Sequence, residues 1–316
     1  MTLPALSPRA LRTRWSLLRL ARHGVEPAEW VARADGVVHG RGMTASVVEV
    51  MGLRFGSPLL LAAGFDRHGV LLENASRLGL GAVETGSLRT SSACPSPRVR
   101  VAAARRHVAA GGGRMGVCLH GLSLLVPRLE GRGDTRRGGY VLERLQALFA
   151  ACHATADYVV LNPGRSGATP AQCVELLAAL AKVRDRLARP IRLALVAKLP
   201  APWLAAAGGV RWAHHMIDAG ADGLLLSAEG DSMPAALRIA RVAAEVGERT
   251  ALISVGGVGS VREAAARLAA GADLVQVHRA LIAAPRRALS LSLGIAGLGV
   301  RRGRRQGACT GACAQG

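Results

Sequence analysis

The sequence of 316 residues is poor in aromatic side chains and contains almost no lysine. Phe, Trp and Tyr make up 3% of the residues while hydrophobic residues make up 50%, so the core must consist of Ala, Val, Leu and Ile. This hydrophobic content excludes an intrinsically disordered chain. Among the 41 basic residues only Lys182 and Lys198 are lysines. The length suffices for one large α/β domain or two smaller domains.

Cysteine pairs and long apolar runs are absent as well. The six cysteines show neither a CxxC pair nor the cysteine–histidine spacing of a zinc site, so we expect reduced thiols and no metal centre. The best candidate for a membrane span, residues 288–300, is shorter than the ~20 residues that a span needs. Arginines interrupt the first apolar stretches, so we expect no signal peptide.

The chain carries a large excess of positive charge. Its 41 Lys and Arg residues against 21 Asp and Glu residues give a formal net charge of +20. Such a charge attracts nucleic acids, anionic lipid surfaces and phosphorylated ligands through the long-range field. Codon bias explains most of the arginine excess, since GC-rich codons favour Arg, Ala, Gly and Val. The charge therefore permits anionic partners without selecting one of them.

Residues 8–34 have the pattern of a basic amphipathic helix. Leu11, Trp15 and Leu18 lie at helical spacing on one face, and arginines surround them. Two interpretations stay open: the helix lies on an anionic membrane surface, or it packs against its own domain. We assign residues 1–46 to an N-terminal helical extension, which would face a membrane and a quinone in the first interpretation.

From residue 47 onwards, short apolar runs alternate with helical segments. Such an alternation is typical of parallel strands that are buried on both faces. Seven to eight units predict an α/β fold, a (β/α)8 TIM barrel over residues 47–300, followed by a basic, Gly-rich tail over 301–316. The predicted strands are a hairpin at 47–51 and 53–55, then 58–64, 82–86, 158–162, 193–198, 223–227, 251–256 and 274–278. The predicted helices are 122–129, 141–152, 170–187, 203–219, 234–246 and 261–270.

The last two units of this predicted barrel indicate a phosphate site. Functional residues of such barrels gather at the carboxyl ends of the strands, and phosphate usually binds after the last two. Gly256 and Gly257 follow the penultimate strand, so their N–H groups could approach phosphate oxygens. A helix that starts near Ser260 would add a favourable dipole, and Arg279 could clamp the anion.

Polar residues also end three earlier strands. Lys198 ends a buried strand and must face the barrel mouth, because an unpaired cation in the core costs several kcal/mol. The alternative is that its ammonium reaches past the strand end into solvent. Asn162 and Ser227 end their strands in the same way and would offer neutral hydrogen bonds to a ring.

A series of short motifs runs through residues 51–277 in a fixed order. They are 51–58 (MGLRFGSP), 61–67 (LAAGFDR), 83–87 (VETGS), 113–116 (GRMG), 158–162 (YVVLN), 196–198 (VAK), 222–223 (DG), 253–257 (ISVGG) and 270–277 (AGADLVQV). In this order they resemble dihydroorotate dehydrogenase, specifically its membrane-associated, quinone-using class. The basic N-terminal helix stands where that class has its membrane-binding helices.

The resemblance implies an FMN enzyme. The FMN phosphate would lie at Gly256, Gly257, His278 and Arg279. The other cofactor-binding residues that the resemblance implies are Ala63, Gly64, Ser87, Asn162, Lys198 and Ser227. Lys198 would hold the pyrimidine end of the flavin, where a cation stabilises the negative charge that develops on reduction.

The resemblance also implies the reaction: FMN-dependent oxidation of dihydroorotate to orotate in pyrimidine biosynthesis, with a quinone as electron acceptor. Dihydroorotate would pass hydride to the flavin while a serine base removes the neighbouring proton. The substrate contacts that it implies are Arg67, Arg114, Met115, Gly116 and Asn162. Because the quinone would arrive between the N-terminal helices, we expect a cytoplasmic protein that is peripheral on the inner face of the cell membrane.

The substrate side departs from the family pattern. Where the family has Asn-hydrophobic-Ser-Ser-Pro-Asn with the second Ser as base, this chain has Arg165, so Ser166, one position further, is the predicted catalytic residue. Arg67 replaces the orotate-gripping lysine, and residues 227–229 (SAE) replace Thr-Asn-Thr, which adds a carboxylate. Between residues 116 and 158 we predict no strand, although the family has its third barrel strand there, with a flavin-binding asparagine.

These departures leave two alternatives open. In the first, a degenerate barrel keeps the flavin-phosphate site and has lost or changed its dihydroorotate chemistry. In the second, the barrel is a basic scaffold that binds RNA or an anionic membrane. The second alternative depends on net charge alone, since no nucleic-acid motif is present and aromatic stacking residues are scarce.

Overall fold

The structure, a computed structural model, describes residues 47–66, 69, 71–72, 75–89, 118–127, 135–229, 233–284 and 287–297. The predicted N-terminal helix, the tail 301–316 and the predicted substrate residues Arg67, Arg114, Met115 and Gly116 lie outside the described residues. The proposed divisions of the chain after residues 46 and 300 therefore stay predictions.

Eight parallel strands form a closed barrel, which confirms the predicted fold. An antiparallel hairpin of β1 (Val48–Val50) and β2 (Leu53–Phe55) precedes them, as predicted. The barrel strands are β3 Leu59–Leu61, β4 Ala82–Leu88, β5 Leu119–Leu125, β6 Tyr158–Asn162, β7 Ala194–Leu199, β8 Gly223–Ser227, β9 Ala251–Val255 and β10 Leu274–Val277. They pair in chain order, and β10 closes the barrel on β3.

Helices surround this barrel. Their bounds are α1 Thr135–Cys152, α2 Pro170–Arg186, α3 Ala201–Ala205, α4 Arg211–Asp218, α5 Ala235–Val246, α6 Val261–Ala269, α7 Arg279–Ala283 and α8 Arg287–Gly297, and a 3-10 helix covers Ala75–Leu78. Side chains alternate along the strands: Val159 and Leu161 pack outwards with Leu177 of α2, and Val160 packs inside the barrel. Among the described residues, no helix is both long and apolar enough to cross a membrane.

The hairpin closes the amino end of the barrel. Val48, Leu53 and Phe55 are buried in the inner cluster, together with the first residues of several barrel strands. The Phe55 ring contacts the Tyr158 ring of β6 with a centroid distance of 6.2 Å. Since apolar side chains fill this end, the carboxyl ends of the strands remain as the open end of the barrel.

Three aspartates fix the register at the same amino end. Each precedes a strand and accepts a backbone N–H from the preceding strand: Asp157 from His120 at 2.7 Å, Asp222 from Leu195 at 2.7 Å, and Asp273 from Leu252 at 2.9 Å. These carboxylates satisfy N–H groups that would otherwise lose water without a partner. The register of β5, β7 and β9 is thereby tied to that of β6, β8 and β10.

The third barrel strand exists, which corrects the prediction of a helix over 122–129 and of no strand between residues 116 and 158. β5 pairs with β4 and β6 along its whole length. Its outward residues Leu122 and Leu124 join the outer core, while Gly121 faces Tyr158 inside the barrel, where a Cβ would collide with the Tyr158 ring. The polar and small residues of β5 obscure the strand pattern in the sequence. They are required because one side of β5 faces the outer core and the other side faces the barrel interior.

The single helix predicted over 203–219 is two helices in the structure, α3 and α4. Gly208 separates them with a φ of +66°, and the N–H of Gly209 bonds back to the carbonyl of Ala206 at 2.8 Å. A positive φ is favourable for glycine and ends a right-handed helix. The other predicted helices agree with the structure apart from their ends.

Candidate functional site

The carboxyl ends of the barrel strands bring together the ten predicted cofactor residues. Ala63 and Gly64 follow β3, Ser87 lies near the end of β4, Asn162 ends β6, Lys198 is the penultimate residue of β7, Ser227 ends β8, Gly256 and Gly257 follow β9, and His278 and Arg279 follow β10. Because all eight strands are parallel, these residues surround one opening, opposite the hairpin. We call this opening the mouth.

Three polar side chains of neighbouring strands form a hydrogen-bonded group at the mouth. Ser87 Oγ and Ser123 Oγ lie 2.8 Å apart, and Asn162 Nδ2 donates to both oxygens, at 3.2 Å and 3.3 Å. Asn162 Oδ1 accepts the N–H of Gly164 at 3.0 Å, which fixes the orientation of the amide. Ser123, on the strand that the sequence interpretation missed, is shorter than the asparagine that the resemblance leads us to expect there.

A close approach between β3 and β10 forms the wall beside this group. Gly64 has a φ of +93°, and a Cβ on it would lie 3.6 Å from His278 Nε2. The ring of Phe65 meets the His278 ring edge-on at a centroid distance of 6.1 Å. The His278 ring is therefore held beside the backbone of Gly64.

Two adjacent glycines after β9 present backbone N–H groups to the mouth. Gly256 and Gly257 have φ values of +95° and +75°. Among the described residues, no hydrogen bond is formed by the N–H of Gly257. Successive N–H groups in such a conformation make an anion-binding concavity. This pair, which we call the glycine cradle, has the donors and the conformation that the predicted phosphate site requires.

Side chains bond to backbone N–H groups at the start of α6. Ser260 Oγ accepts the N–H of Glu263 at 3.2 Å, and Glu263 Oε2 accepts the N–H of Gly259 at 2.7 Å. Two N–H groups at this point of the chain, those of Gly259 and Glu263, thus already have acceptors, and one acceptor is a carboxylate.

An ion pair lies beside the cradle. Arg279 Nη2 is 3.2 Å from Glu229 Oε1, and both side chains are largely exposed. A Cβ on Gly256 would lie 3.1 Å from Glu229 Cγ, so the Glu229 side chain runs along the cradle. Arg279, the cation predicted to clamp a phosphate, is thus paired with a carboxylate that would repel the phosphate.

Lys198 points into the barrel near the mouth. It pairs in register with Leu225 of β8, which belongs to the inner cluster. The residue is half-buried, and its ammonium forms no hydrogen bond with any residue that the structure describes. A cation held in this way has its hydrogen-bond donors available for a ligand at the mouth.

Beneath Lys198 lies a buried carboxyl group, Glu84, to which the sequence interpretation gave no role. Glu84 is 2% exposed, and Gln276 Nε2 donates to its Oε2 at 2.6 Å. Burial raises the pKa of Glu84 to about 7, although the Gln276 hydrogen bond and the charge of Lys198 both lower it. The sequence signal was a charged residue inside an apolar strand, Val83-Glu84-Thr85.

Ser166, the predicted catalytic residue, lies in the loop after β6. It is 6% exposed, its N–H donates to the carbonyl of Pro163, and its Oγ accepts the N–H of Ala168 at 3.1 Å. Arg165, beside it, is exposed. Within the described part of the chain, the hydrogen bonds of Ser166 all lie in its own loop, which is anchored at Asn162 through Gly164.

A closed parallel barrel with a glycine cradle, a lysine and polar side chains at its carboxyl end defines an α/β-barrel protein whose candidate binding groups surround one mouth. Among the described residues, no cluster of side chains suits a metal ion. The four predicted substrate residues other than Asn162 cannot be related to this mouth, because they lie outside the described chain.

Comparison with known proteins identifies the family. No family model matches the chain. Dihydroorotate dehydrogenase (quinone) of Alkalilimnicola ehrlichii is 31% identical over 281 residues, which cover 74% of this chain and 81% of the relative. The mitochondrial dihydroorotate dehydrogenase (quinone) of Mus musculus is 32% identical over 282 residues, covering 74% of this chain and 71% of the relative.

A solved structure has the same fold. The structure of DHODH from Eimeria tenella in complex with ferulenol matches with a TM-score of 0.68 at 17% identity, over 94% of this chain and 93% of that chain. From the sequence relatives, this chain belongs to the family of quinone-dependent dihydroorotate dehydrogenases, which are oxidoreductases. The family predicted from the sequence motifs is thereby confirmed.

Proposed function

We propose that this protein oxidises dihydroorotate to orotate, with FMN as its cofactor and a quinone as electron acceptor, as a step of pyrimidine biosynthesis. The observation that carries the proposal is the combination of family membership with a mouth that retains Lys198 and the glycine cradle. In a chain with two lysines, one stands at the strand end where a flavin-contacting cation is expected.

The residues at the mouth fit FMN. The glycine cradle suits a phosphate, and Arg279 and His278 lie at the next strand end. The polar group of Ser87, Ser123 and Asn162, together with Ser227, would offer hydrogen bonds to the flavin ring. Ala63 and Gly64 would line its face. FMN, when bound, supplies the two-electron chemistry between dihydroorotate and a quinone.

Lys198 would provide electrostatic stabilisation at the mouth. Its ammonium is held in a partly buried position, where a charge acts more strongly than in water. A cation there stabilises negative charge that develops beside it.

Ser166 would act as the base through its Oγ. This oxygen accepts one hydrogen bond from Ala168, and its second lone pair would take the substrate proton while the hydroxyl passes its own proton to solvent. Asn162 anchors the same loop and would bind the substrate together with Arg67, Arg114, Met115 and Gly116. Arg67 would contact the substrate carboxylate.

Cofactor uptake tests the first half of the proposal. The purified full chain should be yellow and retain FMN, and Lys198→Ala should lose most of the flavin absorbance. Lys182→Ala is the matched control, since Lys182 lies on α2 and is not among the residues of the mouth. A colourless protein that takes up no added FMN would contradict the proposal.

A second candidate function is a barrel that binds FMN but acts on another substrate. The observation that favours it is the Glu229–Arg279 pair beside the cradle, together with Arg165 at the expected place of the base. A carboxylate here disfavours an anionic substrate. This candidate predicts a yellow protein whose flavin stays oxidised when dihydroorotate is added under anaerobic conditions.

The quinone side of the proposal concerns residues 1–46. We propose that this basic helical extension binds an anionic membrane and admits the quinone, which would make the protein peripheral on the inner face of the cell membrane. Its arginines and its Leu11, Trp15 and Leu18 face support this role.

A further inference from the structure

The interior of the barrel contains one carboxyl group close to the mouth that the proposed reaction does not use. Glu84 shares the inward face of β4 with Ala82, a member of the inner apolar cluster. It pairs in register with Gly121 of β5, whose missing side chain leaves room for the ring of Tyr158. Glu84 is therefore enclosed by the strands, and burial of a carboxylate is costly unless charge or hydrogen bonds offset it.

The groups that face Glu84 come from three other strands. Gln276 of β10 donates a hydrogen bond of 2.6 Å to Oε2. Lys198 of β7 acts on Glu84 through its charge, and no direct ion pair joins the two side chains in the described structure. Tyr158 of β6 is the other titratable group, and its pKa is raised well above 10 by burial and by Glu84, so its phenol stays neutral. The remaining strands contribute apolar side chains, such as Leu60 of β3, Leu225 of β8 and Ile253 of β9.

We propose that Glu84 acts as a positioning residue through Lys198. The two side chains form a proton-linked pair, and the protonation state of Glu84 determines the net positive charge that the barrel presents at its mouth. When the carboxyl is protonated, the charge of Lys198 is unopposed. When the carboxyl is ionised, its negative charge opposes that of Lys198. Negative charge arriving beside Lys198 therefore draws a proton from solvent onto Glu84: an O–H bond of a hydronium ion breaks, and a new O–H bond forms at a carboxylate oxygen.

The direction of the pH dependence follows from the carboxyl group. Its pKa lies near 7 because burial outweighs Gln276 and Lys198. Between its ordinary pKa and this value the folded protein holds a proton that the unfolded chain releases, so its contribution to stability falls as pH rises through this window. The positive charge at the mouth falls as pH increases through about 7, and added negative charge at the mouth raises the Glu84 pKa in return.

Infrared spectroscopy tests the pair without depending on a cofactor. The difference spectrum between the protein and Glu84→Gln should show the carbonyl stretch of a protonated carboxylic acid below neutral pH, which disappears with a midpoint near 7. In a Lys198→Met background the midpoint should rise by about one pH unit, because the nearby cation has been removed. Glu245→Gln, at an exposed position of α5, removes an equal charge and should leave the band unchanged. The inference is overturned if the band persists in Glu84→Gln, or if the midpoint pH of the band stays the same when Lys198 is replaced.

A second measurement uses the proposed cofactor, and for this arm the inference rests on the proposed function. The reduction potential of bound FMN, measured by dye equilibration from pH 6 to 8, should fall more steeply above pH ~7 in the unmodified protein than in Glu84→Gln, because reduction draws the extra proton. Equal slopes would overturn the inference and leave the proposed function intact. If no variant retains FMN, the proposed function fails, and the infrared result alone decides the charge pair.

Discussion

Gly256 carries the strictest backbone requirement of the residues at the mouth. Its φ of +95° is unfavourable for any other residue, and a Cβ would lie 3.1 Å from Glu229 Cγ. We predict that Gly256→Ala weakens FMN binding at least tenfold, because it closes the cradle as well as straining the backbone. Titration of the apoprotein with FMN, followed by flavin fluorescence, measures the change.

Gly247→Ala is the control for this substitution. Gly247 also has a positive φ, +58°, but a Cβ there meets nothing within 4 Å, and the residue ends α5 away from the mouth. It should lose stability by about 1 kcal/mol while retaining its FMN affinity. Equal losses of affinity in the two variants would mean that backbone strain, rather than the cradle, causes the effect.

Substitution of Glu229 should change the FMN affinity in the opposite direction. Its carboxylate pairs with Arg279 at 3.2 Å and would repel a phosphate at the cradle. We predict that Glu229→Gln tightens FMN binding by a few-fold, a small effect because the pair is exposed and screened by salt. Riboflavin, which lacks the phosphate, serves as the control ligand. Affinity that rises equally for both ligands would contradict a phosphate-specific role.

At the residue scale, the sequence predicts some parts of the mouth better than others. Lys198, Asn162 and Gly256 were predictable because each ends a run of apolar residues, and the carboxyl ends of parallel strands meet. Glu84 and Ser123 were not assigned roles. A role for these two residues can be inferred only from the folded structure. The fold brings Gln276, Lys198 and Ser87 beside them from distant parts of the chain.

Among the elements, β5 was the one strand that the sequence concealed. Its residues, Leu-His-Gly-Leu-Ser-Leu-Leu, do not form the continuous apolar run of the other strands. His120 is buried on the outward side, where its ring bonds to Thr85 Oγ1 at 2.8 Å and to the carbonyl of Thr155 at 2.7 Å. Periodicity alone does not identify a strand whose polar residues are satisfied by tertiary partners.

Gly121 of this strand gives an element-scale prediction. A side chain there would collide with the ring of Tyr158, which fills the barrel interior next to Phe55. We predict that Gly121→Val lowers the free energy of unfolding by about 2–3 kcal/mol, because a packed core responds poorly to added volume. Urea unfolding followed by circular dichroism measures the loss.

Gly139→Ala provides the contrasting substitution. Gly139 lies in α1, is exposed, and has nothing within 4 Å of a built Cβ. The alanine variant should be more stable by up to about 1 kcal/mol, because glycine is unfavourable inside a helix. If Gly121→Val were as stable as the unmodified protein, the inward orientation of β5 would be wrong.

Over the whole molecule, the alternation of apolar runs and helices predicted the closed barrel even though one strand was missed. The eight-strand closure and the family were both accessible from order and spacing. The net charge of +20, in contrast, indicates no partner by itself. Which partner binds depends on where the charged residues lie on the surface. The residues predicted to bind a membrane lie outside the described chain.

Deletion of residues 1–34 tests the membrane role at this scale. We predict that the truncated protein loses binding to anionic vesicles but keeps its bound FMN, because the barrel residues are unchanged. Co-sedimentation with vesicles, with and without anionic lipid, measures the difference. Vesicle binding that survives the deletion would assign the membrane contact to another surface or to net charge alone.

The central claim is that the mouth of this barrel oxidises dihydroorotate. Anaerobic mixing of the FMN-loaded protein with dihydroorotate, followed by the flavin absorbance, tests it most directly. We predict that the absorbance of the oxidised flavin is lost in the unmodified protein, and at least a hundredfold more slowly in Ser166→Ala, as expected for loss of a general base. An FMN-loaded protein whose flavin stays oxidised in excess dihydroorotate would contradict the account.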